Sequence, residues 1–378
     1  MRGRVLTVRE MEQPHLDAWA SLAGRAVEAN PMNEAAVVVS AARHQENGGG
    51  IRLVVAEDGC GMHGAFPVVW AARHGNIRVP VLTTNIRRMT YLGTPLIDRQ
   101  GGVEAAAAML GELRTRRRHG DPGVLVVQWL GEGGLVSAWL REAAAHLSFP
   151  TFDYEDFQQP FLSRRLDGAR GELTSRKHRK DYERRARRMA EDLGHDLVLV
   201  DRAGDPGAVD DFLSLEAAGY KTDIGVAMRT RPGEPEQFTE MCRVLADEGR
   251  LHVLELRAGA RTIAMQISLR AADTLFLIKV GHDEALGRYD PGIQLHLRAV
   301  EYFHERTDAE GIRVCTFPDN ALLLRLYPER RRTSTLVIGL GSPLDRMLVR
   351  ALPMARTVSR GARRQVASGS RLLGARAS

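Results

Sequence analysis

Residues Lys279–Phe303 read KVGHDEALGRYDPGIQLHLRAVEYF. The stretch closes a β-rich run, TLFLIKVGHDE, crosses a loop, ALGRYDPG, and opens a helix that continues to about Glu305. The start signals are local. Asp290 can cap the helix, and Pro291 suits its first position, where a missing N–H costs nothing. A strand that hands over to a helix in this way sets the frame for reading the flanking sequence.

Upstream, LHVLELRAG and RTIAMQISLRAA join TLFLIKVGHDE as three β-rich runs. Their breaks, at Ala258-Gly259-Ala260 and Ala271-Ala272-Asp273, are hairpin-sized. Before them come a strand, DLVLVD, and two helices. The first starts at Asp205-Pro206 and carries Val209, Phe212, Leu213, Glu216 and Tyr220. The second spans about residues 235–248, with Phe238, Met241, Cys242 and Leu245 on one face. A polar segment, Thr222–Pro235, separates them. Downstream lie a strand, GIRVCTF, a short helix near Asn320–Tyr327, and a last strand, STLVIGL. The order is β-α-α-β-β-β-α-β-α-β. A three-strand meander followed by a crossover implies an α/β fold: a mixed sheet with helices on both faces.

The segment SRKHRKDYERRARRMAED (Ser175–Asp192) precedes this unit, with eight Lys or Arg residues. On a helix, Tyr182, Ala186, Met189 and Leu193 form one narrow apolar stripe. Thr174 or Ser175 can cap its start, and Gly194 ends it. The charged outer face has two readings, a solvated surface or an anion-binding one. No aromatic residues alternate with the charges, as a single-strand platform would require.

The first half has a similar rhythm. A helix around His15–Glu28 stops at Asn30-Pro31. Strands are expected at IRLVVAE, GAFPVVW and NIRRMTYLGTPLI, and Gly101-Gly102 open a helix, VEAAAAMLGELRTRRR. A strand, GVLVVQWL, a helix, SAWLREAAAHL, and a strand around Phe157–Leu162 follow.

With 378 residues, two domains are expected. There is no run of about 18 apolar residues and no signal-peptide core, so a cytoplasmic protein is expected. Cys60, Cys242 and Cys315 show neither metal-ligand nor disulfide spacing, so no metal site is expected. The net charge is +6, but the residues from Ser342 onward hold eight Arg and one acid. The basic character therefore sits in the tail. Lysine is scarce: Lys177, Lys180, Lys221 and Lys279 are the four among 53 basic residues. Lysine can titrate where arginine cannot, which singles these out.

The element order of the second half resembles that of the GNAT acyltransferase superfamily. More narrowly, it is similar to the CelD/BcsL-like branch, related to the Fem aminoacyltransferases. The carrying residues are the basic helix, EAAGYKTDIG (Glu216–Gly225), GRLHVLELRAGARTIAMQISL, the Lys279–Phe303 junction and VCTFPDNALLLRLYPERR. The resemblance implies tandem GNAT-like domains, residues 1–165 being a degenerate copy and 166–342 the acyltransferase domain, with 343–378 a basic flexible tail.

The resemblance also implies a site. The pyrophosphate of acetyl-CoA or another acyl-CoA would rest on the amides of Gly292, Ile293, Gln294 and Leu295, where a helix N-terminus offers unpaired donors. Arg288 and Tyr289 would flank it. The usual GNAT pattern ends in a further small residue where this chain has Gln294, which leaves acetyl-CoA, a longer acyl-CoA or an aminoacyl-tRNA open as donor. A splayed strand near Ile278–Val280 would supply oxyanion donors. Lys279, His282 and Asp283 are candidates for proton transfer, with Tyr327 as a general acid. Glu216, Lys221 and Gln266 would edge the acceptor site. The acceptor implied is an amine or hydroxyl on a small molecule such as a sugar, or on a lipid or cell-envelope precursor. Two other classes remain: a non-catalytic scaffold for polysaccharide synthesis, held peripherally at an anionic membrane by its tail, and a Fem-like transferase whose basic helix contacts tRNA.

Overall fold

Alternating apolar residues in the second half build strands that stack into one sheet, as a computed structural model of the chain shows. The structure describes residues 1–46, 48–75, 77–84, 90–164, 173, 176–317 and 320–352. In the first half the elements are β1 (Arg2–Thr7), α1 (Gln13–Arg25), α2 (Ala35–His44), β2 (Arg52–Asp58), β3 (Gly61–Ala71), β4 (Val81–Thr83), β5 (Leu96–Ile97), α3 (Gly102–Arg117), β6 (Val124–Gly131), α4 (Leu135–His146) and β7 (Thr151–Ser163). Then come α5 (Arg176–Leu193), β8 (Leu197–Asp201), α6 (Ala208–Ala217), α7 (Tyr220–Asp223), α8 (Glu234–Asp247), β9 (Leu251–Ala258), β10 (Arg261–Ala271), β11 (Thr274–His282), α9 (Pro291–Arg306), β12 (Gly311–Val314), α10 (Ala321–Leu326) and β13 (Glu329–Gly339).

The strands form a single sheet in the order β1-β2-β3-β4-β6-β13-β7-β12-β11-β10-β9-β8, with β5 beside β3. β4 runs parallel to β6 and β11 parallel to β12, while the remaining pairs are antiparallel. Each half thus repeats one plan: an antiparallel meander, a helix, and a strand parallel to the meander's last. This is a tandem GNAT fold. The halves are also interleaved. β7, from the first half, pairs with β12 through Leu162↔Ile312, and β13, the last strand, lies between β6 and β7.

Helices cover both faces. In the second half, Phe212 of α6, Phe238 and Met241 of α8, and Met265, Ile267, Phe276 and Ile278 of the sheet bury one face. On the other, Met189 of α5 and Leu295 and Ala299 of α9 meet Leu254, Leu256 and Ala264. The apolar stripe of α5 is therefore docked, with Ala186 and Met189 buried. In the first half α3 and α4 cover one face and α1 and α2 the other.

Some expectations change. The tail does not begin as a free segment: residues 343–352 are helical, and Val349 and Leu352 are buried. Asp345 anchors the turn by accepting from the Ser342 amide at 3.1 Å. Residues 353–378, the Thr174 and Ser175 caps, and residues 85–89 of the expected NIRRMTYLGTPLI strand lie outside the described residues. Of its described residues only Leu96–Ile97 is strand. Among the described residues no helix is long and apolar enough to cross a membrane, and no group of His, Cys, Asp and Glu suits a metal.

Candidate active site at the parting of two strands

The centre of the second half is shaped by one irregularity. β11 and β12 pair in parallel from Thr274↔Gly311 to Leu277↔Val314, and the Cys315 amide donates to Leu277 O at 2.9 Å. β12 then ends, while β11 runs on to His282. On its other side β11 pairs with β10 as Ile267↔Lys279 and Ser268↔Leu277, so Ile278 is an extra residue in the ladder. Such a bulge turns two successive residues to one side and sharpens the local twist. Ile278 packs in the core beneath α6, and Lys279 Nζ lies 3.6 Å from Glu216 Oε1 of α6. Val280 returns to the α9 face. A wedge therefore opens between β11 and β12, with α6 on one side and α9 on the other.

α9 points its first turn at the wedge's end. Asp290 holds the left-handed conformation, φ 54°, which aspartate tolerates better than most residues. Its carboxylate accepts from Arg185 Nη1 at 2.7 Å, so it does not cap the helix with its own side chain. Two of the four amides expected at the anion site are already used. The Gln294 amide donates to Asp290 O at 3.0 Å, and Leu295, one residue further in, donates within the helix. Pro291 has no N–H. The donors left at this end are Gly292 and Ile293. The Ile293 and Leu295 side chains are core. The Gln294 side chain is buried as a strut, donating to Tyr182 O of α5 at 2.9 Å and accepting from Arg298 at 3.1 Å. A Cβ on Gly292 would meet only His282 Nδ1, at 3.7 Å. The His282 imidazole thus stands over the open first turn.

Several expected site residues take other work. Asp283 does not orient His282. Its carboxylate accepts from the Ala285 amide at 3.0 Å and from Arg261 Nη2 at 2.6 Å, capping the short helical turn Glu284–Tyr289. Arg288 and Tyr289 face away from the amides: Arg288 donates to Asp192 at 2.9 Å and stacks 4.6 Å over the Tyr289 ring, whose hydroxyl also donates to Asp192. They clasp α5. Glu216, almost fully buried, accepts from the Met228 amide at 3.0 Å as well as facing Lys279. Gln266 lies on the opposite face of the sheet from Glu216, in a small cavity of about 10 Å3 shared with His252, Ser268 and Tyr327. Its Oε1 has no protein partner among the described residues. Glu216 and Gln266 therefore do not edge one acceptor site. Lys221 lies in α7, and its side chain is outside the described residues.

Tyr327 is buried and bonded to His296 Nδ1 at 3.0 Å. Burial pushes the phenol up and the imidazole down to about 4, so Tyr327 keeps its proton and His296 stays neutral. The pair joins α10 to α9 inside the core, away from solvent. His296 was not singled out in the sequence because nothing marks it there.

The first half has lost the open helix end. At the start of α3, Asp98 Oδ1 accepts from the Gly101 amide at 2.7 Å. His63 Nδ1, at 3.2 Å from Asp98 Oδ2, and Arg25 hold that carboxylate in place. The chain's own anion fills the position that α9 leaves open.

Comparison with known proteins agrees with this construction. Residues 176–319 match the family model of the acetyltransferase (GNAT) domain. None of the curated proteins compared matches the chain. FemX has a solved structure that superposes with TM-score 0.57 at 8% identity, over 89% of this chain and 97% of that one. A conserved protein of unknown function from Bacteroides thetaiotaomicron gives TM-score 0.54 at 11% identity, over 87% and 98%. The C-terminal domain of a putative lysylphosphatidylglycerol synthetase from Agrobacterium fabrum gives 0.54 at 11%, over 88% and 94%. At these identities the likeness is one of fold. Residues 176–319 carry the GNAT fold, set in a chain whose two halves are built on the same plan.

Proposed function

We propose that the chain is an acyltransferase of the CelD/BcsL-like kind that moves an acyl group from acyl-CoA to an amine or hydroxyl of a sugar, lipid or envelope precursor. The observation that carries this is the open first turn of α9, Gly292 and Ile293, beside a strand that parts from its neighbour at Ile278. Two unpaired amides and the positive end of a 16-residue helix favour a pyrophosphate. The wedge between β11 and β12 gives the pantetheine arm a path toward the sheet centre. There the acceptor attacks the thioester carbonyl, the carbonyl oxygen becomes an oxyanion, and the C–S bond breaks to release the thiolate. His282, beside the first turn of α9, is the candidate base for the acceptor's proton. Lys279, paired with Glu216, brings a positive charge to the α6 side of the same wedge.

The test is calorimetric titration with acetyl-CoA and CoA, beside Gly292→Glu. A Cβ fits at 292 without a backbone clash, so the substitution reports on charge beside the phosphates. Micromolar binding that falls at least tenfold in the variant supports the reading. Equal affinity in both proteins sinks it.

A second reading has its own observation. The outer face of α5 exposes Lys177, His178, Lys180, Arg187 and Arg188. With FemX among the similar folds, an aminoacyl-tRNA donor is the alternative. Binding of tRNA that weakens steeply between low and moderate salt, with no binding of any acyl-CoA, would favour it.

A further inference from the structure

Arg313 lies in β12 opposite Phe276, one pair before the parallel ladder ends. Its side chain shares the sheet face with Ile278 and Phe276, the face that α6 covers. Nε donates to Gln159 Oε1 at 2.9 Å, and Gln159, fully buried, donates in turn to Tyr91 O at 2.9 Å. Nη2 is out of solvent and has no partner among the described residues. No carboxylate pairs with Arg313 within ion-pair distance among the described residues. The nearest one felt electrostatically is Glu28, which is committed to the Val136 amide at 2.8 Å, where it caps α4. Burial pulls the guanidinium below its ordinary pKa and pushes Glu28 above its own.

A second arginine adds to the same field. Arg331 is aligned with Gln159 across the β7–β13 ladder, so it shares this face, and it stacks 4.1 Å over Phe161. It too forms no ion pair among the described residues. Through Gln159 and Tyr91 this arginine is tied to a cluster of aromatic rings drawn from both halves. Trp129 is packed edge-on to Phe157 and Phe317 at 5.6 Å each, and Tyr91 lies 5.7 Å from Phe317. Trp129 takes φ 56°, a conformation that a bulky residue adopts only when its surroundings impose it. Phe317 is half exposed, so the cluster reaches the surface.

A half-buried guanidinium whose Nη2 is out of solvent, with no carboxylate to pair with, is costly, and a fold that needed only packing there would place an apolar residue. From this cluster we infer that Arg313, helped by Arg331, binds an oxyanion of the acceptor, a carboxylate or a phosphate, on the α6 side of the wedge. The inference rests on the transferase reading for the word acceptor. The anion site itself is independent of it. Guanidinium recognises either group through paired N–H donors, and Arg313 has one N–H-bearing nitrogen unspent. The aromatic cluster suits an apolar or ring-bearing body attached to that anion.

The experiment uses the full chain. Wild type, Arg313→Met and Arg331→Gln are heated with sodium benzoate, with benzamide as its uncharged counterpart, and with inorganic phosphate, all at matched ionic strength. Acetyl-CoA affinity is measured on the same samples. The expected result is a saturable rise in Tm with benzoate or with phosphate, and none with benzamide. Which anion acts separates an acidic acceptor from a phosphorylated one. Arg313→Met should weaken that response at least tenfold, and Arg331→Gln several-fold. The inference is overturned if no anion acts or if the variants respond as wild type does. Should wild type bind the anion but no acyl-CoA, the donor reading fails and the anion site stands.

Discussion

His296 shows how a single residue sets pH dependence in this protein. Its pKa is lowered to about 4 by burial, against an ordinary value near 6.5. As pH falls through about 6.5, the unfolded chain takes up a proton that the folded chain refuses until about pH 4. The associated stability is complete above 6.5 and is lost across that window, by about 3 kcal/mol at most. His252 and His74, also lowered by burial, add to the same slope. We expect His296→Gln to keep a larger share of its pH 7.5 stability at pH 4.5 than wild type, read from urea midpoints at the two pH values. An unchanged difference would assign the acid sensitivity elsewhere. At this scale the sequence was only partly legible. Gly292 was marked by Asp-Pro-Gly around it. Asp283 follows His282 directly in sequence, yet its partner, Arg261, is brought over by the β10–β11 hairpin. Nothing in GIRV singles out Arg313. Only the pairing with β7 puts Gln159 beside it.

At the scale of elements, α9 is held at both ends by arginines from outside itself. At its start Arg185 of α5 fixes Asp290. At its end Arg164 donates to the carbonyls of Phe303, His304, Thr307 and Ala309 at 2.7–3.1 Å and lies 4.7 Å over the Phe303 ring. The last carbonyls of a helix lack partners and carry its negative end, so one planar cation satisfies several at once. Arg164→Ala should cost about 2–4 kcal/mol in chemical denaturation, and Arg164→Lys should recover little, because an ammonium cannot span that fan of acceptors. Full recovery by lysine would mean that charge alone matters. Most second-half elements followed from periodicity, since their apolar faces are buried on one side. Several first-half elements did not, β1, α2, β4 and the start of β7 among them. In α2 the run AAVVVSAARH is β-branched at its centre and follows Asn30-Pro31, so nothing in it signals a helix; Val37, Val38, Ala41 and Ala42 become buried once it packs. In β7 the first residues, TFDYEDF, alternate with acids, which hides a strand that pairs with β13 from Ile338↔Thr151 onward.

The whole molecule differs most from what the sequence suggests. Each half repeats the plan, but the strand that would close the first half is β13 and the strand beside β12 is β7. No local pattern encodes that exchange, because strand neighbours so distant in sequence are chosen by tertiary packing. Further contacts tie the halves, among them Arg43–Glu240 at 2.5 Å and Arg250–Glu34 at 2.5 Å. We therefore expect one cooperative thermal transition, with calorimetric and van't Hoff enthalpies equal. Fragments 1–165 and 166–378 should be insoluble when made separately and recover folded material when made together. Two resolved transitions, or a stable second-half fragment, would contradict this.

The interleaving also has a consequence for birth on the ribosome. When Ser163 has emerged, the facing edges of β6 and β7 have no strand between them, and Glu329–Gly339 is still unmade. At about 5–20 residues per second, that gap lasts on the order of ten to thirty seconds. For that time a nascent chain carries two open strand edges of the kind that recruit other chains. Its yield should therefore depend on chaperone supply and on translation speed after residue 163 far more than its finished stability would suggest.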